Sequence, residues 1–222
     1  EQAKAALAAA EAEADEAARA KLSEQAAQDA ASTLQDWNNK GYMPEGVNAV
    51  DASTALSRFC DGEGLFFPSG NWNLDTVAKA LGDDVQFFAF PGATSEDEPN
   101  VAANAGAFYG IPVNAKNRDA AAAFLDYTQS AEAQQIIVDN SGYLPKSSTL
   151  DLKANSALQQ SMFDAYADVL TSGHTSDFIN NATAGMQSSG LIPNFQLLLD
   201  NSITPQEFTK NVQAQYDKEA KR

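Results

Sequence analysis

The spacing of hydrophobic residues predicts helices along much of the chain. Residues 51–60 and 74–81 each place apolar side chains on one helical face, and 117–139 forms a helical block interrupted near 129–130. A further helix is predicted over 156–170. In the interrupted block, the side chains expected to face the core are Ala121, Phe124, Leu125, Ile136 and Ile137.

Several helix ends carry recognisable signals. Gly41 suits the left-handed residue that ends a helix, and Ser130 suits the N-cap of the second half of the interrupted block. Thr204-Pro205-Gln206-Glu207 is a capping box with proline at the first helical position. We therefore expect the last helix to begin there.

Three short apolar runs predict strands between the helices. They are 65–67, 85–90, which is expected to be largely buried, and 108–113, where Pro112 favours an edge position. Residues 93–104 are polar and rich in turn formers, so we expect an exposed loop. Because helices separate the strands and outnumber them, the predicted fold class is α/β.

The first part of the chain has a different composition from the rest. Residues 1–31 contain 15 alanines, with Leu7 and Leu22 as the only larger apolar residues. Alanine favours helix, but so narrow an apolar stripe provides little surface for docking. We expect residues 1–32 to be a solvated helical segment or linker, and residues 33–222 to form the folded domain.

Charge and composition exclude several functions. The chain has 30 acidic and 14 basic side chains, a formal charge of −16, which would repel nucleic acid and anionic membrane surfaces. Its single cysteine, Cys60, cannot form an internal disulfide, and the single histidine, His174, gives no support for a zinc site or a catalytic triad. We therefore expect neither a metal nor a cofactor.

The run from 65 to 72 contains the most informative chemistry. It ends in Gly70-Asn71-Trp72, which places an indole beside a carboxamide. A neutral sugar is bound by such a pair, because its apolar C–H face stacks on the ring and its hydroxyls bond to the amide. The alternatives are a buried core position for Trp72 and a helix-capping role for Asn71.

Short motifs occur in an order that is typical of one protein family. They are Gly41-Tyr42, Asp61-Gly62-Glu63-Gly64 after Phe59, Gly70-Asn71-Trp72, and the runs 88–92, 110–117, 130–135, 142–145 and 204–208. In this order they resemble the C-terminal part of extracellular solute-binding proteins of carbohydrate ABC transporters, the maltose-binding-protein-like family. The resemblance covers roughly residues 33–222.

The resemblance implies both a fold and a function. The implied fold is the helix-rich C-terminal part of a two-lobe, type II periplasmic-binding-protein-like fold, with the N-terminal half absent from this sequence. The implied function is the non-enzymatic binding of an oligosaccharide in an interlobe cleft, for delivery to the permease subunits of a bacterial importer. Such a protein would be a monomer, either periplasmic or held at the cell surface as a lipoprotein.

The same resemblance implies a set of ligand-binding residues. They are Trp72, Asn71, Gly70, Gly106, Phe108, Tyr109, Tyr143, Gln187 and Ser188. Gly106 would allow close approach of the backbone to the ligand, and strand alternation would direct only one of Phe108 and Tyr109 towards it. For Tyr143, ligand contact and packing beside the hinge are both open.

Two other classes of function remain as alternatives. A glycosidase could use the same aromatic residues as sugar subsites, with a pair of carboxylates drawn from the many acidic residues. A structural or fusion segment without a ligand is the other alternative. Unchanged ligand after incubation with the protein would favour a binding protein over an enzyme.

Overall fold

The chain forms two compact units, each with its own hydrophobic core. The first unit contains residues 24–50 and 178–220, and the second lies between Asp51 and Asp177. The computed structural model describes residues 24–92, 101–103, 109–144, 151–172 and 175–220. The predicted loop over 93–104 lies mostly outside this described part, as does His174.

Helices dominate the described residues, which also contain several short 3-10 turns and a small parallel sheet. The helices are α1, whose described part covers 24–39, α2 (Ala52–Cys60), α3 (Leu74–Leu81), α4 (Arg118–Tyr127), α5 (Ala131–Ser141), α6 (Ala157–Ser172), α7 (Ile192–Leu199) and α8 (Pro205–Ala220). Strands β1 (Val101–Ala102) and β2 (Thr175–Ser176) pair in parallel, with Val101 opposite Thr175. The predicted α/β class is confirmed, with the helix content dominant.

The predicted helices and several of their end signals are confirmed. Gly41 has φ 74°, as expected of a residue that ends a helix. The Ser130 hydroxyl accepts a hydrogen bond from the Ala133 N–H at 3.2 Å at the start of α5. At the start of α2, the Asp51 carboxylate accepts one from the Thr54 N–H at 2.7 Å. These contacts supply acceptors for N–H groups that have no partner inside the helix.

The strand predictions are wrong. Residues 65–67 and 85–90 form no strand, nor does the described part of 108–113, which begins at Tyr109. Phe66 is 73% exposed, and the Phe87 N–H donates to the Ser161 hydroxyl at 2.9 Å rather than to a neighbouring strand. The reason is that an apolar run becomes a strand only when a second strand pairs with it.

The predicted buried face of α4 and α5 is also partly wrong. Phe124 is 62% exposed and Ile136 is 51% exposed. In α5 the buried positions are instead Ala133, Gln134 and Val138. Gln134 is tolerated there because its amide donates to the Thr128 carbonyl at 2.6 Å, which satisfies a polar group that burial would otherwise penalise.

The core of the first unit joins α1 to the C-terminal helices. Its buried residues are Ala31, Met186, Leu191, Leu198 and Phe208. Side-chain amides of α1 strengthen this packing, because Gln35 donates to the Leu198 carbonyl at 2.9 Å and Asn38 donates to the Leu199 carbonyl at 2.7 Å. The boundary predicted between residues 32 and 33 falls inside α1, where the helix is continuous.

The core of the second unit lies between α3 and α6. Leu74 and Val77 of α3 pack with Leu158 and Met162 of α6, and all four are buried. Partly buried aromatic residues surround this cluster, including Phe59, Phe87, Phe163 and Tyr166. Because α3 supplies half of the buried cluster, the turn that leads into α3 is attached directly to the core of this unit.

The capping box at the start of α8 holds a carboxylate in its ionised form. The Thr204 N–H donates to Glu207 Oε2 at 2.8 Å, and the Glu207 N–H donates to the Thr204 hydroxyl at 3.2 Å. The hydrogen bond from the Thr204 backbone N–H is the largest cause that lowers the pKa of Glu207. Because the folded-state pKa lies below the unfolded value, the carboxylate stabilises the fold above about pH 4.3.

We therefore expect Glu207 to make unfolding pH-dependent at acidic pH. The stabilisation should be lost as the pH falls below about 4.3 and through the lowered folded-state pKa. Glu207→Gln keeps the hydrogen-bonding shape but has no charge, so its stability deficit against the parent should shrink between pH 7 and pH 3. Urea midpoints at both pH values would measure this, with Glu45→Gln in an exposed turn as the control. A deficit independent of pH would contradict the prediction.

Candidate functional site

Trp72 lies in a single turn of 3-10 helix, Asn71–Asn73, directly before α3. A Cβ atom added to Gly70 would overlap the six-membered ring of Trp72, so the indole lies directly against the Gly70 α-carbon. The Trp72 side chain nevertheless remains 53% exposed. Trp72 is therefore not a core residue, and Gly70 is the residue that leaves room for its ring.

The side chain of Asn71 does not cap the following helix. The N-cap of α3 is Asn73, whose Nδ2 donates to the Ser69 hydroxyl at 2.9 Å. Asn71 is partly exposed, and its carboxamide has no hydrogen-bond partner among the described residues. A carboxamide offers both donors and an acceptor, so Asn71 can form hydrogen bonds with a ligand.

Tyr143 is brought to the start of the same helix. Helix α5 ends before Gly142, which has φ 69°. A Cβ atom added to Gly142 would lie 2.9 Å from the Cβ atom of Leu74, the first residue of α3. Tyr143 follows Gly142 and is 47% exposed. The structure thus brings two exposed aromatic side chains, Trp72 and Tyr143, to the N-terminal end of α3.

The other residues implied by the resemblance are distributed differently. Tyr109 belongs to the same unit as Trp72 and is highly exposed. Gln187 and Ser188 are exposed on a π-helix, Met186–Leu191, which belongs to the first unit. Gly106 and Phe108 lie outside the described residues. The group on which a site can be argued is therefore Gly70, Asn71, Trp72 and Tyr143.

Sequence reasoning missed the π-helix, although one signal for it is present. Pro193 has no N–H and cannot complete the helical hydrogen-bond pattern of the residues before it. At the start of α7, the Asn194 side chain adds a hydrogen bond to this segment, because its Nδ2 donates to the Gly190 carbonyl at 2.6 Å. Single π-turns within helices are frequent at functional positions. Gln187 and Ser188 therefore stay predicted ligand-binding residues.

Sequence reasoning also missed an exposed aromatic pair. Phe66 and Phe88 meet edge to face, with ring centroids 6.1 Å apart, and both are largely exposed. They lie in the runs 65–67 and 85–90, which were predicted to be strands. In a strand, alternate side chains would have faced the core. The pattern of apolar residues could identify them as hydrophobic but could not show that they face solvent.

The side chains assigned to the candidate site, Asn71, Trp72 and Tyr143, are neutral. The nearby α3 carboxylate, Asp75, is paired with Lys79 at 2.6 Å, and this ion pair lies on the helix surface. Within the residues that the structure describes, no cluster of histidine, cysteine or acidic side chains could hold a metal ion. An aromatic ring and an amide suit a neutral, hydroxylated ligand better than an ion.

In the described part of the chain, no helix combines the length and the apolar character that a membrane span requires. A search of curated proteins gave no significant match. The family of bacterial extracellular solute-binding proteins, in contrast, matches residues 2–163, which is well over half of the chain. The match includes the alanine-rich segment as well as Gly70, Asn71, Trp72, Tyr109 and Tyr143. The chain therefore belongs to the bacterial extracellular solute-binding protein family.

Proposed function

We propose that this chain is the substrate-binding component of a bacterial ABC sugar importer and that it binds an oligosaccharide on Trp72. Family membership supports solute binding outside the cytoplasm. The observation that carries the proposal is the half-exposed Trp72, whose indole lies against Gly70. The preceding residue, Asn71, has a carboxamide with no hydrogen-bond partner among the described residues. In this role the protein is a monomer, lipid-anchored or periplasmic, that delivers its ligand to permease subunits.

The physical case for a sugar depends on how its two kinds of surface are bound. The C–H groups on one face of a pyranose are apolar and contribute free energy when they cover an aromatic ring. Its hydroxyls lose bonds to water on binding and must regain them from the protein. Trp72 supplies the first surface, and Asn71 supplies a donor pair and an acceptor for the second.

Membership of this family supports binding without an enzymatic reaction. The protein is expected to release its sugar unchanged, whereas the alternative, a glycosidase, would produce shorter products. Overnight incubation with maltotriose, raffinose and xylotriose, followed by chromatography, separates the two. Appearance of cleaved products would overturn the binding-protein proposal.

Replacing Trp72 with alanine is expected to weaken sugar binding at least several-fold without unfolding the chain. An aromatic contact contributes on the order of 1 kcal/mol to the binding free energy, which corresponds to a several-fold change in Kd. Titration calorimetry with the same three oligosaccharides, at concentrations up to millimolar, would measure the loss. Circular dichroism would show that the helices remain.

Tyr127→Ala is the matched control, because Tyr127 is an aromatic residue of similar exposure at the end of α4. Its replacement should leave the sugar affinity unchanged. Equal affinities for the parent and a folded Trp72→Ala variant would remove Trp72 from the site. Failure of the parent to bind any of the three sugars would contradict the carbohydrate specificity itself.

A further inference from the structure

We propose that the contact between Leu74 and Gly142 is the positioning element that fixes Tyr143 relative to Trp72, so that both rings serve one ligand. The inference rests on the proposed function for its ligand. Its structural part, the coupling of the two aromatic side chains through a buried contact, can be tested without any ligand.

On one side of the contact, Leu74 connects the Trp72 turn to the core. The Leu74 N–H donates to the Asn71 carbonyl and closes the turn that contains Trp72. The Leu74 side chain is buried against Val77, Leu158 and Met162. A displacement of Leu74 therefore moves the turn, because backbone and side chain are both held at this residue.

On the other side, Gly142 brings the Tyr143 segment against Leu74. Gly142 is buried, and a Cβ atom on it would lie 2.9 Å from Leu74 Cβ and 3.0 Å from Leu74 Cδ2. Cβ atoms in proteins essentially never approach other atoms below 3.0 Å, so only glycine permits this separation. Its φ of 69° also favours glycine.

Tyr143 is held outward by the residues on either side of it. Gly142 is buried, and Leu144 packs against the same core cluster as Leu74. The Ser141 hydroxyl donates to the Ile137 carbonyl at 2.6 Å, which fixes the end of α5 immediately before this segment. With both neighbours packed inward, Tyr143 is left half-exposed between two residues that contact the core.

The two rings are therefore separated from one contact by very short lengths of chain. Trp72 lies two residues before Leu74, and Tyr143 lies one residue after Gly142. Consecutive Cα atoms are about 3.8 Å apart, so a shift at the contact is transmitted almost directly to the separation of the rings. The contact is a positioning element, since neither Leu74 nor Gly142 needs to touch the ligand.

The test compares Gly142→Ala with Gly41→Ala in the full chain. Gly41 has a similar φ, 74°, but a Cβ atom added there would meet nothing within 4 Å. Both variants incur the cost of a positive φ, and only Gly142→Ala pushes against Leu74. Leu74→Met is the second variant, because a volume-conserving change in the core usually leaves a protein folded.

The first readout needs no sugar. The chain contains two tryptophans, so protein labelled with 5-fluorotryptophan gives two fluorine resonances, and Trp72→Phe assigns them. Gly142→Ala and Leu74→Met should shift the Trp72 resonance, and Gly41→Ala should not. An unchanged Trp72 resonance in both contact variants would overturn the inference, whatever the protein binds.

The second readout uses maltotriose. Tyr143→Ala should weaken binding several-fold in the parent and in Gly41→Ala, but should have little further effect in Gly142→Ala, where the ring is already displaced. A parent that binds maltotriose equally well with and without Tyr143 would overturn the two-ring site. A shifted resonance combined with no binding of any sugar would instead overturn the proposed function and leave the structural coupling intact.

Discussion

Leu198→Ala is expected to lower the free energy of unfolding by about 2–5 kcal/mol, the range found when a buried leucine is truncated. Leu198 is 0% exposed and packs with Met186, Leu191 and Phe208 in the core of the first unit. Truncation removes apolar burial and leaves a cavity that these neighbours can fill only in part. Urea denaturation followed by circular dichroism would give the change in the midpoint.

The adjacent residue provides a matched control. Leu197 belongs to the same helix, but it is 42% exposed. Leu197→Ala should change the unfolding free energy by much less, because the removed atoms are already partly in contact with water. Equal losses for the two variants would show that α7 does not present Leu198 to the core as the structure has it.

Gln159→Leu is expected to be the second strongly destabilising change. Gln159 is 0% exposed, its Oε1 accepts from the Asn155 N–H at 2.8 Å, and its Nε2 donates to the Val138 carbonyl at 2.8 Å. Val138 lies in the last turn of α5, where carbonyls have no partner within the helix. Leucine would leave both backbone groups without these bonds.

Each such unpaired group costs roughly 1–3 kcal/mol. The loss in the free energy of unfolding should therefore be several-fold larger than for a typical surface substitution. Gln160→Leu is the control, since Gln160 is exposed and, among the described residues, its amide bonds only to Asp164, one turn away on the same helix. Thermal unfolding of both variants would measure the difference. If Gln159→Leu were as stable as Gln160→Leu, water or another group would have to satisfy Val138 and Asn155.

The contrast between the helix and strand predictions has a physical origin. The starts of α5 and α8 were predictable because Ser130 and Thr204 act within three residues of themselves. The runs 65–67 and 85–90 have apolar residues in the right pattern, but a strand also depends on a distant partner that the local sequence does not specify. The local pattern also placed Phe124 and Ile136 correctly in helices. It could not show that they are exposed, because exposure depends on which distant elements pack against the helix.

The candidate site was predictable to a similar extent. The sequence places Trp72 next to Asn71, and the order of motifs predicted the family. The match over residues 2–163 confirms bacterial extracellular solute binding, while sugar specificity stays a prediction. The contact of Gly142 with Leu74 could not be foreseen, because the two residues lie far apart in the chain and nothing in their local sequence pairs them.

The division of the chain into units also has a consequence for synthesis. The second unit is one continuous stretch, whereas the first is assembled from two stretches on either side of it. Ala31 and Gln35 reach their partners in α7 and α8 only after residues beyond 178 have been made. During translation the second unit can therefore acquire its core while α1 still lacks its packing surface. A released chain truncated after Asp177 should show a protease-resistant fragment from the second unit alone, with α1 still open to cleavage.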